Sequence, residues 1–226
     1  MERSLEPPAS SVYSFVVFDL DGTLVDSRRD LADSANELLA ELGRPSLPEE
    51  QIGRMVGDGA AVLVARVCAA AGIAVPPDAL TRFLAIYDTR LLNHTRPYDG
   101  VVEVLDTLRS RMPIAVLTNK PLASTRGVLA GLELAPFFVE SMIFGGDGPL
   151  PRKPDPQGLR RLAELASVPI ASTMLVGDSI IDVRTAGAAG AQMCVARYGF
   201  GFESVEAETL TSTVRVIDAP PELLRL

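Results

Sequence analysis

Five short runs rich in Val, Ile, Leu, Met and Phe recur along the chain, at Phe15–Leu20, Ile114–Thr118, Ser141–Phe144, Thr173–Val176 and Gln192–Ala196, each followed by turn-forming residues. Apolar runs of this length, bounded by turn signals, predict strands buried on both faces. A weaker signal of the same kind lies at Val214–Ile217. Between the runs the apolar spacing becomes helical, over Val101–Arg111, over Pro121–Leu132, from Asp155-Pro156 to Ala166, and over Ile180–Ala189 with Gly190 as the stop.

Alternating strands and helices predict a parallel sheet. The first connection breaks the rhythm. Leu20 and Ile114 stand more than ninety residues apart, whereas a whole βαβ unit takes about 30. Helical patterns at Ser27–Leu42, Ala60–Ala71 and Asp78–Leu92 fill the gap, punctuated by Gly43-Arg44-Pro45 and Val75-Pro76-Pro77. The expected fold is α/β: a Rossmann-like parallel-sheet core, residues 1–25 and 97–226, with an inserted all-helical cap, residues 26–96.

Composition narrows the setting. With 226 residues, 47% apolar and 22% charged, the chain is globular in type. The most apolar stretch, Gly59–Val75, is interrupted by Arg66 and falls short of the ~20 residues that cross a bilayer. Met1–Ser11 has no apolar segment of signal-peptide length and reads as a loose tail. Cys68 and Cys194 stand in apolar surroundings, as buried thiols of a reducing, cytoplasmic compartment would. The net charge is −8 and the isoelectric point about 4.8, with no basic cluster denser than Arg160-Arg161. Nucleic-acid binding is therefore not expected, and an anionic small molecule would need a metal ion or a few focused cations to be held.

In open parallel sheets ligands collect at the carboxyl ends of strands. Here those ends carry Asp19-Leu20-Asp21-Gly22-Thr23, Thr118-Asn119-Lys120, Gly145-Gly146-Asp147 and Gly177-Asp178-Ser179, with Asp182 one helical turn on. Gly22 allows a turn that brings Asp19 and Asp21 to one pocket. Clustered carboxylates repel unless a cation joins them, and an oxygen-only donor set points to Mg2+ before zinc. With magnesium bound, Asp19 is suited to attack phosphorus and Asp21, when protonated, to give its proton to the leaving oxygen. Lys153, Thr118 and backbone N–H groups near Gly22 are suited to stabilise the charge on the phosphoryl oxygens. Of 21 cationic side chains 19 are Arg and two are Lys, and both lysines, Lys120 and Lys153, fall beside this proposed pocket. An ammonium is not freely exchanged for a guanidinium.

Asp19-Leu20-Asp21-Gly22-Thr23-Leu24-Val25-Asp26-Ser27, Thr118-Asn119-Lys120, Arg152-Lys153-Pro154-Asp155-Pro156 and Gly177-Asp178-Ser179 with Asp182 together resemble the four ordered motifs of the haloacid dehalogenase-like phosphatases. Thr118–Pro121, Gly145-Gly146-Asp147 and Val56-Gly57-Asp58-Gly59 are most similar to phosphoglycolate phosphatases. The resemblance implies an aspartyl-phosphate mechanism in which Asp19 is the nucleophile and Asp21 the general acid and base. It further implies Thr118 and Asn119 as phosphate ligands and Lys153 as charge clamp. Asp19, Asp178 and the Asp21 carbonyl would hold magnesium, with Asp182 supporting them. The chain departs from the resemblance at Asp99, where relatives usually carry Pro before the hinge glycine.

Several residues carry two readings. Ser179 and Asp182 have helix-capping spacing. Asp26, Ser27 and Asp30 read as a helix start. Gly57 and Gly59 are expected to place backbone N–H groups over the pocket. Arg54 and Lys120 are candidates for substrate recognition, and Lys120 reads equally as a solvated first-turn residue. His94 is expected to be structural. The expected partner is a small phosphorylated metabolite. Rival readings are a sugar-phosphate mutase of the β-phosphoglucomutase type, which returns the phosphoryl group to a bound intermediate, and a signalling module that only accepts a phosphoryl group.

Overall fold

The structure is a computed structural model and describes residues 13–211 and 213–226; the expected tail Met1–Ser11 lies outside the described residues. Its first half holds β1 (Phe15–Phe18), β2 (Val25–Asp26), α1 (Arg28–Glu41), α2 (Glu49–Gly53), α3 (Ala60–Ala70), α4 (Ala79–Asp88), β3 (Arg96–Pro97) and α5 (Val101–Arg109). There follow β4 (Ile114–Leu117), α6 (Leu122–Gly131), β5 (Ile143–Phe144), α7 (Gln157–Leu165), β6 (Thr173–Gly177), α8 (Ile180–Ala189), β7 (Gln192–Ala196) and β8 (Val214–Ile217).

Six strands form one parallel sheet in the order β5-β4-β1-β6-β7-β8. Numbered by their sequence within this sheet, the order is 3-2-1-4-5-6, so the topological switch point lies at the carboxyl ends of β1 and β6. Separate apolar clusters cover the two faces, one built around Val16, Phe18, Leu105 and Val176 and the other around Phe15, Val17, Leu159 and Leu175. The alternation of β1 side chains between these clusters explains why the run is apolar throughout.

Helices α1–α4 bury a third cluster of their own, including Leu31, Leu38, Ile52, Leu63, Val67 and Phe83. The chain leaves for these helices and returns from them side by side. Val25 pairs with Pro97 and Asp26 with Arg96, antiparallel. Buried Asp30 fastens the returning strand by accepting from His94 N at 2.9 Å, Thr95 N at 2.8 Å and Thr95 Oγ1 at 2.7 Å.

Some boundaries differ from the sequence pattern for identifiable reasons. β1 stops at Phe18 because Thr23, Leu24 and Val25 all donate their N–H to Leu20 O, curling the chain into a turn. β5 keeps only two residues because Glu140–Met142 forms a 3-10 turn. α5 ends at Arg109, ahead of Pro113, which the helix cannot pass. α4 ends at Asp88 instead of Leu92, where Thr89 Oγ1 takes Ile86 O at 2.8 Å and competes with the backbone ladder. α2 was not expected; it starts after Pro48 with Glu49 and Glu50 in its first turn, where acidic side chains suit the helix dipole.

Among the described residues no helix is long and apolar enough to cross a membrane, and Cys68 and Cys194 are free and buried. Leu38 is fully buried in the helical layer. Leu38→Ala is expected to lower the unfolding free energy by about 2–5 kcal/mol, read as a lower urea midpoint with an unchanged slope.

Candidate active site

β1 and β6 are adjacent, so Asp19 and Asp178 emerge next to each other. The turn after β1 is what lets them face one space: Gly22 has φ +86°, and a Cβ there would sit 1.9 Å from Asp178 Oδ2. Glycine is therefore demanded both by conformation and by room. Asp178 is closed off from the other side by the loop after β7, with Gly201 N donating to Oδ2 at 2.7 Å. Nothing in the strand pattern marked Gly201, because it comes from a distant loop.

The cation expected opposite these acids is in place. Lys153 Nζ lies 2.9 Å from Asp19 Oδ1 and 2.7 Å from Asp182 Oδ1, with only 4% of the residue exposed. Burial pulls the Lys153 pKa down, but Asp182 and Asp19 outweigh it and hold the ammonium charged, above the usual lysine value. Asp182 serves both readings of its spacing. Its Oδ2 accepts from Ser179 N at 3.1 Å and Ser179 Oγ at 2.6 Å, fixing the start of α8, while Oδ1 anchors Lys153.

A second buried pair stands beside the first. Lys120 Nζ is 3.0 Å from both carboxylate oxygens of Asp21 and 2.6 Å from Tyr87 Oη, with the ammonium 4.4 Å from the Tyr87 ring centroid. Lys120 is thus buried, not a solvated first-turn side chain. Ser27, expected only to start a helix, stands at the N-cap of α1 but makes no capping bond there; its hydroxyl donates to Asp21 Oδ1 at 2.6 Å. Tyr87 was missed because Phe83 and Tyr87, four residues apart on α4, look like an ordinary core stripe.

Thr118 is buried at the pocket, its Oγ1 accepting from Lys120 N at 3.2 Å. Asn119 Nδ2 donates to Gly57 O and Lys153 O, both at 2.9 Å, so its amide hydrogens are committed to positioning those segments. Asn119 Oδ1 is buried with no partner. Gly57 therefore meets the sheet side through its carbonyl, where an N–H was expected. Arg54 does not line the pocket; it is half exposed and paired with Glu203 at 2.9 Å. Leu31, Val56, Phe83, Leu84 and Phe200 give the pocket apolar walls around about 630 Å3 of space, part of it open to solvent.

Oxygens of Asp19, Asp178 and Asp182 all lie within 4.8 Å of one another. Burial, reinforced by the neighbouring acids and opposed by Lys153, raises the Asp19 pKa from 3.8 to about 6 and that of Asp178 well above 3.8. This crowd of carboxylates fits a hard divalent cation, and no His or Cys lines the pocket to favour zinc. Because the folded pKa of Asp19 lies above its unfolded value, its contribution to stability is fully present below the unfolded pKa and is lost as pH rises through about 6. Magnesium binding needs the ionised carboxylates. The rise in melting temperature on adding magnesium chloride is accordingly expected to be larger near about pH 7.5 than near about pH 5. Equal rises in thermal melts at the two values would contradict a shared site.

Comparison with known proteins gives the same family as the motifs. Residues 16–196 match the haloacid dehalogenase-like hydrolase family. A phosphoglycolate phosphatase of Rhodospirillum rubrum is 42% identical over 199 residues, covering 84% of this chain and 82% of that protein. One of Thiobacillus denitrificans is 38% identical over 191 residues, covering 82% and 83%. The crystal structure of a predicted phosphoglycolate phosphatase from Haemophilus somnus 129pt superposes with a TM-score of 0.87 at 27% identity, covering 96% of this chain and 99% of that one. The chain belongs to the haloacid dehalogenase-like hydrolase family and is a phosphoric monoester hydrolase similar to phosphoglycolate phosphatases.

Proposed function

We propose that the chain is a magnesium-dependent phosphatase that hydrolyses phosphoglycolate through an aspartyl-phosphate intermediate. The observation that carries the reading is the buried carboxylate of Asp19, 2.9 Å from the Lys153 ammonium, with Asp178 and Asp182 oxygens within 4.8 Å at the switch point of the sheet. The substrate follows the two relatives named above, which match 84% and 82% of the chain. Residues 26–96 act in this reading as a cap over the core segments 1–25 and 97–226, and closure excludes water from the reacting centre.

In the first step an Asp19 oxygen bonds to phosphorus and the bond from phosphorus to the ester oxygen breaks, while Asp21 passes a proton to that leaving oxygen. In the second step Asp21 takes a proton from a water molecule whose oxygen attacks phosphorus, and the acyl-phosphate bond breaks to regenerate Asp19. Thr118 Oγ1, the backbone N–H of Asn119 and Lys153 Nζ hold the phosphoryl oxygens; the Gly22 N–H, expected to join them, is instead donated to Val25 O at 2.8 Å, closing the turn after β1. Asp19, Asp178 and the Asp21 carbonyl would hold magnesium, which would neutralise charge on the transferring group. Asp182 keeps Lys153 aimed at Asp19. Lys120 and Ser27 keep Asp21 oriented.

The decisive measurement is kcat/KM over a panel of phosphate monoesters with magnesium; isomerised sugar phosphate instead of free phosphate would point to a mutase. Asp19→Asn is expected to cut phosphate release by about a thousandfold or more with an unchanged circular dichroism spectrum. Asp19 must be ionised to attack, so kcat/KM is expected to fall on the acid side of about pH 6. Because a bound cation favours the carboxylate, that limb is expected to move to lower pH as magnesium is raised.

A further inference from the structure

Lys120 and Tyr87 leave one hydrogen-bond donor over. A lysine ammonium can only donate, so Tyr87 Oη is the acceptor in its 2.6 Å contact with Lys120. The phenol's own hydrogen must then go elsewhere, and among the described residues no group accepts it. Tyr87 is 2% exposed and is one of the residues that line the pocket. Burial, opposed by Lys120, pushes its pKa up to about 12, so the hydrogen stays on the oxygen at neutral pH. A buried donor without an acceptor is costly, and the nearby wall residues Leu31, Phe83 and Leu84 offer it no side-chain acceptor.

The position of this donor limits what can satisfy it. Lys120 Nζ is 3.0 Å from Asp21, and in the chemistry proposed above Asp21 is one hydrogen bond from the ester oxygen. Four contacts in series, from the acceptor to Tyr87 Oη, 2.6 Å on to Lys120 Nζ, 3.0 Å on to Asp21 and one more to the ester, place the acceptor within about 12 Å of that oxygen. A carboxylate borne on the ester carbon falls within this reach, and the ammonium beside the phenol offers the opposite charge.

Resting on that reading of the reaction, we propose that Tyr87 and Lys120 together bind the carboxylate of a short phosphate monoester. The phenol donates the hydrogen bond and the ammonium supplies the charge, so that Tyr87, delivered by α4, selects carboxylate-bearing substrates over neutral ones. Arg54 takes no part, being turned to Glu203.

Tyr87→Phe tests this while keeping the ring over the ammonium. Wild type and variant would be assayed with magnesium on 2-phosphoglycolate and on ethyl phosphate, which lacks the carboxylate. The ratio of the two kcat/KM values is expected to fall about tenfold or more in the variant, chiefly through a higher KM for 2-phosphoglycolate. An unchanged ratio, with 2-phosphoglycolate still well hydrolysed, overturns this proposal alone. Wild-type protein gives an independent check if the variant does not fold: it is expected to prefer 2-phosphoglycolate by about a hundredfold, and equal use of the two esters overturns the proposal. Failure of wild type to hydrolyse 2-phosphoglycolate, with other esters turned over, overturns the substrate reading and this proposal together.

Discussion

A single ammonium makes this site sustainable. Lys153 lies between Asp19 and Asp182 at 2.9 and 2.7 Å, in a place from which water is largely excluded. Three carboxylates within 4.8 Å of one another would otherwise resist ionisation, as the raised pKa values of Asp19 and Asp178 still show. Buried charges of one sign persist only when paired and hydrogen-bonded. The ammonium's compact shape matters, because it must touch two acids from one point, whereas a guanidinium presents a planar fork. Lys120 repeats the solution a few ångströms away, on Asp21.

The sheet explains why these charges meet. Strands β1 and β6 are neighbours in register, so the residues that follow them leave the ladder together at the one place where the crossovers diverge to opposite sides. Asp182 is carried on the first turn of α8, which the same strand end launches. Its carboxylate caps that helix and anchors Lys153 at once. Removing it would therefore disturb a helix start and a charge pair together, which is why structural and chemical roles cannot be separated at this residue.

The helical layer contributes chemistry as well as cover. Tyr87 reaches Lys120 from α4, and Gly57 O receives Asn119 Nδ2. Asn119 thus spends its amide hydrogens on holding the 57–59 turn and the Lys153 backbone in place. Asp30 performs the corresponding task at the passage between layers, where it gathers three donors from His94 and Thr95. Polar contacts thus join the two layers, while α1–α4 keep an apolar cluster of their own and Leu91 packs against both that cluster and the core.

Much of this was legible in the residues. The apolar runs announced the strands because a strand covered on both faces must be apolar throughout, and the overlong first connection announced an insertion. The acids after those runs, and the only two lysines in the chain, marked the pocket because few other residue types can do their work there. Helix ends were less legible, since Thr89 and the turn onto Leu20 O act through local hydrogen bonds that periodicity does not encode. Tyr87, Ser27 and Gly201 were invisible for a stronger reason. Each carries a side chain or backbone group of common structural use, and acquires its role only from a partner 33, 6 or 23 residues distant. Sequence alone determined the fold class and the identity of the charged groups, because hydrophobic period and residue chemistry are local properties. Which of those groups face one another, which donor is left over and which arginine turns away were decided only by the packing of one layer on the other, because a hydrogen bond depends on a distance that neither partner specifies by itself.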